Sequence, residues 1–303
     1  MDIQLKIKAI KTLFITGGNG FVGQNLLLYF GNKYLFKLHK REDKLNIIQD
    51  YVIHLAGVAH DLKNIKSFEE YYNVNTEFTK KVFNSFITSN ATVFITLSSV
   101  KAVEDEVEGI LTEDFIPSPI THYGKSKLLA EQYILSNSIP NGKRVYILRP
   151  CMIHGPGNKG NLNLLYKLIS KKIPWPLGAF ENRRSFCSIN NLTFVIKELI
   201  EREEIPSGIY NVADDEPIST NEIIDLIGKS LSKKPIVWKI SKKIIKKIAC
   251  LGDKLHLPLN TERLHKLTSS YIVSNAKISA AIGKPLPLSS REGLLKTFNS
   301  FNR

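Results

Sequence analysis

Short apolar runs alternate with longer amphipathic ones through the first half of the chain. Thr12–Thr16 (TLFIT), Tyr51–Ala56 (YVIHLA), Ala91–Leu97 (ATVFITL) and Arg144–Leu148 (RVYIL) are brief, rich in β-branched and aromatic residues, and predict buried strands. Tyr34–His39 (YLFKLH) alternates apolar and polar positions and predicts one more. Between them Phe21–Phe30, the region around Phe68–Thr88 and Tyr123–Ser136 read as helices. Strands alternating with helices predict βαβ units and an α/β fold: a doubly wound parallel sheet covered on both faces.

The second half is more irregular and is punctuated by Pro150, Pro156, Pro174 and Pro176. Helices are expected at Asn163–Lys171 and Leu192–Glu201, and a strand at Ile209–Val212. Ser219 and Glu222 have capping-box spacing ahead of the helical run IIDLIGKSL. This half is expected to form a smaller C-terminal lobe interleaved with the main domain. The division is 1–155 and 156–303, with a strand near 209–213 returning to the main sheet.

Only about a dozen residues lie between the second predicted strand and YVIHLA. A full dinucleotide fold places a third strand and its connection there. That strand is expected to be missing or vestigial.

Composition narrows the class. Hydrophobic residues make up 43% and charged residues 23%, which fits a globular chain and not a disordered one. No apolar run is long enough to span a bilayer. The lysine-punctuated N-terminus lacks a signal-peptide core, so a cytoplasmic location is expected. Cys151, Cys187 and Cys250 are odd in number and lack paired spacing, which argues against a disulfide framework or a zinc site. Cys187 is expected to be a buried spectator. No metal site is expected; Asp214 and Asp215 read as turn caps. The net charge of +14 suits an anionic substrate. With no nucleic-acid module signature, nucleic-acid binding is not expected.

Three elements carry chemistry. Gly17, Gly20 and Gly23 form a GxxGxxG between a predicted strand and a predicted helix, in TGGNGFVG. Such a turn lets backbone approach a pyrophosphate at a helix N-terminus. Tyr123 and Lys127 are four residues apart, so a helix places them on one face. There an ammonium group near a phenol would lower the tyrosine's pKa and make it a general base for a sugar hydroxyl. Ser98 and Ser99 close a predicted strand, at the carboxyl end where ligands bind in such sheets.

Occurring together in this order, these elements resemble the extended short-chain dehydrogenase/reductase superfamily, and within it the NAD-dependent epimerase/dehydratase family. The likeness covers nearly the whole chain. It implies a Rossmann-type fold with a substrate-binding lobe, and catalysis by Ser99, Tyr123 and Lys127. It also implies a bound NAD or NADP. The cofactor set would be Gly17, Gly20, Phe21, Val22 and Gly23 from the loop; Leu55, Ala56 and Gly57 from YVIHLAG; Asn75 from VNTEFT; and Ser98, Tyr123 and Lys127. The substrate set would be Ser99, Tyr123, Asn161 in the LRPCMIHGPGNKGNLNLL region, and Arg184 in NRRSFCSINNL, which would grip a diphosphate.

LRPCMIHGPGNKGNLNLL and PLGAFENRRSF are most similar to bacterial enzymes of surface-polysaccharide assembly. The implied activity is a UDP-hexose or UDP-N-acetylhexosamine 4-epimerase. A 4-keto-sugar-nucleotide reductase using NADPH is the alternative, and a non-catalytic nucleotide-binding protein on the same scaffold is a second. A homodimer is the implied assembly. Dehydratases of the family often carry an Asp-Glu pair after the catalytic serine or threonine; Val100-Lys101 stand here, which argues against dehydration.

The second predicted strand ends in His39-Lys40-Arg41, where NAD enzymes usually place an acid. Lys40 and Arg41 would suit the 2′-phosphate of NADP. His54 reads as a packed histidine, and His60 and His154 as loop residues near the site. In Trp238–Leu251, Ile240, Ile244, Ile245 and Ile248 are expected on one face with lysines elsewhere. That helix is expected to dock on its own domain, the alternative being an anionic membrane surface.

Overall fold

Residues 10–58, 67–158, 160–255 and 259–301 are described by the structure, a computed structural model. His60 and the first nine residues lie outside them.

Strand β1 (Thr12–Thr16) leads through the glycine loop into helix α1 (Phe21–Phe30). Strand β2 (Leu35–His39) follows, and β3 spans Tyr51–His54. The expected helix at Phe68–Thr88 is interrupted. Helix α2 (Phe68–Tyr71) passes into a π-helical turn over Tyr72–Glu77 and then into α3 (Phe78–Thr88). Strand β4 (Val93–Leu97) and helix α4 (His122–Leu135) complete the elements that carry the predicted chemistry.

The sheet has six strands. From one edge their order is Gly208–Val212, Arg144–Pro150, β4, β3, β1, β2. β1 pairs in parallel with β2 and β3, β3 with β4, and β4 with Arg144–Leu148. The sheet stops at β2, and no strand forms between it and β3, as the short connection predicts. The strand Gly208–Val212 forms the other edge of this sheet. Phe14, Val52, Phe83, Phe86, Phe94 and Ile147 are almost fully buried around it.

The chain divides into two compact units built from interleaved stretches. The first comprises 1–105, 116–149 and 195–210; the second comprises 106–115, 150–194 and 211–303. The second holds its own apolar core, including Trp175, Leu177, Ile224, Ile227, Leu294 and Phe298. Several of its strands pair in short two-stranded pieces, such as Met152–His154 with Phe186–Ser188. Ser219 and Glu222 form the expected capping box at the start of Thr220–Ser230.

His154 does not lie in a loop. It sits in the strand Met152–His154, fully buried, 2.8 Å from Thr297 Oγ1 and 3.3 Å from Asp214 Oδ2. Asp214 is more than a turn cap: it also accepts from the Ser188 N–H at 2.8 Å and from Asn191 Nδ2 at 2.6 Å. These groups satisfy one another in the interior of the second unit, which is what burial demands of them. Asp215 does act as a cap, accepting from Ser290 N at 2.7 Å. Cys187 is buried and its thiol is pushed up by burial and by Asp214, so it is chemically quiet. Among the described residues no His, Cys, Asp and Glu cluster is arranged to hold a metal, and no helix is long and apolar enough to cross a membrane.

Candidate functional site

The glycine loop is shaped by close approach. Gly17 has φ +70°, and a Cβ on it would sit 2.5 Å from the Ala56 amide nitrogen. A Cβ on Gly23 would lie 2.5 Å from the Gly18 carbonyl oxygen. The loop therefore lies flat against Leu55 and Ala56, whose N–H groups bond Thr16 O and Thr16 Oγ1 at 3.1 and 3.2 Å. Gly20 begins α1 with no side-chain cap, and the first turn carries no acid. Uncapped N–H groups behind a backbone that can be approached closely fit a pyrophosphate. Phe21 and Val22 are half-buried at that turn.

Lys40 and Arg41 are exposed immediately after β2. Two acids follow: Glu42 is exposed, and the Asp43 carboxylate accepts from the Lys40 backbone N–H at 2.9 Å. That bond holds its pKa below the usual range and commits the group to the turn. The two cations are left pointing outward at the sheet's carboxyl end.

Helix α4 is fixed at its start by residues the sequence reading did not single out. Asp105 accepts from Ile120 N, Thr121 N and Thr121 Oγ1 at 2.8–3.1 Å. Thr121 in turn caps the helix by accepting from Gly124 N at 3.2 Å. A Cβ on Gly124 would collide with the Lys101 carbonyl oxygen, so this glycine sets how closely α4 packs behind Ser99. A run D…TxYG is a weak signal by itself, because Asp105 reaches Thr121 only through tertiary packing.

Two of the three catalytic candidates, Tyr123 and Lys127, lie on α4, and Ser99 follows β4. Ser99 Oγ accepts from Lys101 N at 3.2 Å, which leaves its own proton for Tyr123, to whose hydroxyl it is hydrogen-bonded. Burial raises the Tyr123 phenol above its ordinary pKa, the Ser99 bond pulls it down, and nearby Tyr71 adds a rise. Lys127 Nζ donates to the Leu97 carbonyl at 2.9 Å, and burial pushes it down to about 8, with Glu131 opposing. The expected lowering of the Tyr123 pKa is not seen, because burial outweighs the Ser99 bond; Lys127 shares the helical face, and its ammonium bonds the Leu97 carbonyl at the end of β4.

Asn75 lies in the π-helical turn, fully buried. Its Oδ1 accepts from Val58 N at 2.8 Å, and its Nδ2 donates to Val58 O and to Ser126 Oγ. Gly57 passes directly over this group: a Cβ there would be 3.0 Å from Asn75 Oδ1 and 3.1 Å from Lys127 Nζ. Asn75, Gly57 and Lys127 thus form one wall. The extra residue of a π turn is a common device for re-aiming a side chain at a functional site. Ser98 is buried with an unpartnered hydroxyl, facing a small void shared with Asn75, Lys127 and Glu131.

His54 is a packing residue. Its ring nitrogens lie 2.7 Å from Thr16 Oγ1 and 2.9 Å from Thr79 Oγ1, and burial lowers its pKa to about 3.

Arg184 and Asn161 belong to the second unit. Asn161 is exposed at the first position of the helix Asn161–Ser170. Arg184 donates through Nε to Ser269 O at 3.0 Å, and through Nη2 to Ser269 Oγ at 3.0 Å and to Lys266 O. Three of its N–H groups thus brace the end of the helix Thr261–Thr268, leaving Nη1 for any other partner.

Residues 37–213 match the NAD dependent epimerase/dehydratase family. The chain is 29% identical to a UDP-glucose 4-epimerase of Vibrio cholerae, over 97% of this chain and 96% of that one. It is also 29% identical to an N-acetyl-alpha-D-glucosaminyl-diphospho-ditrans,octacis-undecaprenol 4-epimerase of Escherichia coli O157:H7, over 61% of this chain and 56% of that one. In fold it is similar to the UDP-N-acetylglucosamine 4-epimerase of Bacillus cereus, with TM-score 0.75, 17% identity, and 97% and 100% of the two chains covered.

Proposed function

This chain belongs to the NAD dependent epimerase/dehydratase family, and from that membership we propose that it is a 4-epimerase of a UDP-hexose or UDP-N-acetylhexosamine, serving surface-polysaccharide assembly. The observation that carries the reading is the Ser99–Tyr123 hydrogen bond beside Lys127, at the carboxyl end of β4.

A bound NAD or NADP supplies a hydride acceptor and donor for C4 of the sugar. Gly17, Gly20 and Gly23 admit its pyrophosphate, and Leu55–Gly57 with Asn75 form the wall beside it. Tyr123 takes the proton of the C4 hydroxyl and returns it when the opposite face is reduced. Ser99 donates to the Tyr123 oxygen and so stabilises the phenolate that this transfer requires. Lys127, charged below its pKa of about 8, donates to the Leu97 carbonyl and lines the wall assigned to the cofactor with Gly57 and Asn75. In the second unit, Arg184 and Asn161 are the residues assigned to the substrate.

Lys40 and Arg41 favour a second reading: a 4-keto-sugar-nucleotide reductase that consumes NADPH. One experiment separates the two. The purified protein is incubated with UDP-glucose, UDP-N-acetylglucosamine and 4-keto sugar nucleotides, with and without NADPH, and products are resolved by sugar analysis. Epimer formed with no net change in absorbance at the nicotinamide band supports the epimerase. Stoichiometric NADPH oxidation overturns it in favour of the reductase. No turnover of any sugar favours a nucleotide-binding protein.

A further inference from the structure

The helix Lys242–Leu255 has two apolar faces, and among the described residues one is buried and the other exposed. Ile245, Ala249 and Gly252 are buried, the first two in the core of the second unit. Gly252 is needed there, because a Cβ would collide with the Leu259 carbonyl oxygen. Asp253 accepts from Thr261 N at 3.0 Å and ties the helix to the start of Thr261–Thr268. These contacts fix the rotation of the helix about its axis. They separate Ile245 from Ile244 and Ile248, which the sequence pattern had grouped on one face, and Ile240 precedes the helix altogether.

The rotation turns a second stripe outward. Ile244, Ile248, Leu251 and Leu255 are 53%, 44%, 52% and 59% exposed. Their spacing of four, three and four residues aligns them along one side of the helix. The row one residue earlier is Lys243, Lys247, Cys250 and Lys254, all exposed, on the flank away from the buried face. None of these lysines makes a salt bridge among the described residues. The one acid of the helix, Asp253, is committed to Thr261.

We propose that this stripe seats the protein on an anionic lipid bilayer. Four large aliphatic side chains in line can enter the boundary of the acyl chains, while lysine stems reach along the surface and place their ammonium groups among anionic headgroups. A second copy of this chain is the competing occupant. An antiparallel twofold pairing through the stripe would bring the two lysine flanks together, which costs energy that an anionic surface does not. The chain's net charge of +14 also favours approach to such a surface. The inference is independent of the chemistry proposed at Tyr123.

Co-sedimentation of the full chain with vesicles tests it. The vesicles are phosphatidylcholine alone, or phosphatidylcholine with phosphatidylglycerol. The wild type is expected to sediment with the anionic vesicles only, and to be released as salt is raised. Two variants, Ile248→Ser/Leu251→Ser and Lys243→Gln/Lys247→Gln/Lys254→Gln, are each expected to lose at least about tenfold in partitioning, since both insertion and charge are needed. Their thermal melts should match the wild type, because every altered side chain is exposed. No sedimentation with anionic vesicles overturns the proposal, as does salt-insensitive binding or equal binding by correctly folded variants. A concentration-dependent dimer, abolished by the apolar variant and unaccompanied by vesicle binding, assigns the stripe to a second copy instead.

Discussion

Arg149 clamps Glu131 with Nε at 3.0 Å from Oε1 and Nη2 at 2.5 Å from Oε2, and the two side chains are only 3% and 2% exposed. Glu131 lies one turn beyond Lys127, which lies one turn beyond Tyr123, all on α4. The pair therefore ties α4 to the strand Arg144–Pro150.

Removing one partner of this pair should be costly. Glu131→Gln leaves the Arg149 guanidinium buried without its counter-ion, and a loss of about 3–5 kcal/mol is expected. Urea unfolding measures it. Replacing both residues, as Glu131→Gln/Arg149→Met, should recover much of the loss. A single-variant cost below about 1 kcal/mol would mean that water or backbone relieves the charge.

The same carboxylate acts on Lys127. Glu131 opposes the burial that lowers the Lys127 pKa to about 8. With Lys127 required in its charged form, kcat/KM should fall as pH rises through about 8 in the free enzyme. In Glu131→Gln that alkaline limb should move to lower pH, because the group that held the ammonium charged is gone. A limb that stays in place, or that is absent in the wild type, would detach Lys127 from the rate.

Tyr123→Phe should lower turnover by about 10²–10⁴-fold while leaving the melting temperature near wild type. The ring keeps its packing and only the proposed proton carrier is lost. Activity within about threefold of wild type would remove the phenol from the mechanism.

His54 gives the fold a pH dependence of defined sign. Its folded pKa of about 3 is below the ordinary value of 6.5, so the unfolded chain binds a proton that the folded chain refuses. Stability should fall as pH drops from about 6.5 toward 3, and be unaffected by this group above that window. His54→Gln should show a shallower decline in melting temperature between pH 7.5 and pH 5, conditions chosen to bracket the ordinary histidine pKa of about 6.5. Parallel declines would assign the acid sensitivity to carboxylates.

Arg184→Ala should do two things at once. Loss of its bonds to Ser269 and Lys266 should lower the melting temperature. Loss of the remaining guanidinium donors should weaken UDP binding, measured by calorimetry below the variant's melting transition. A variant that melts early but binds UDP as tightly as wild type would make Arg184 a brace alone.

Much of the first unit was legible in the chain itself. Buried parallel strands are encoded as short apolar runs, and the glycine loop is encoded because Gly17 and Gly23 stand where no Cβ fits. Tyr123 and Lys127 fall on one face because helical geometry makes any pair four apart do so. The end of the sheet at β2 follows from chain length alone: too few residues remain before Tyr51 for another strand and its return. Tertiary structure decided the rest, because it depends on what each face meets. Periodicity places Lys127 beside Tyr123 but does not say that the ammonium bonds Leu97 O and the phenol bonds Ser99. Nor does it show that His154, Asp214 and Thr297, far apart in the chain, converge into one buried network. The helix Lys242–Leu255 makes the reason plain. Its sequence is apolar over more than one face, and only the neighbours packed on Ile245, Ala249 and Gly252 determine which face is covered and which is left to solvent.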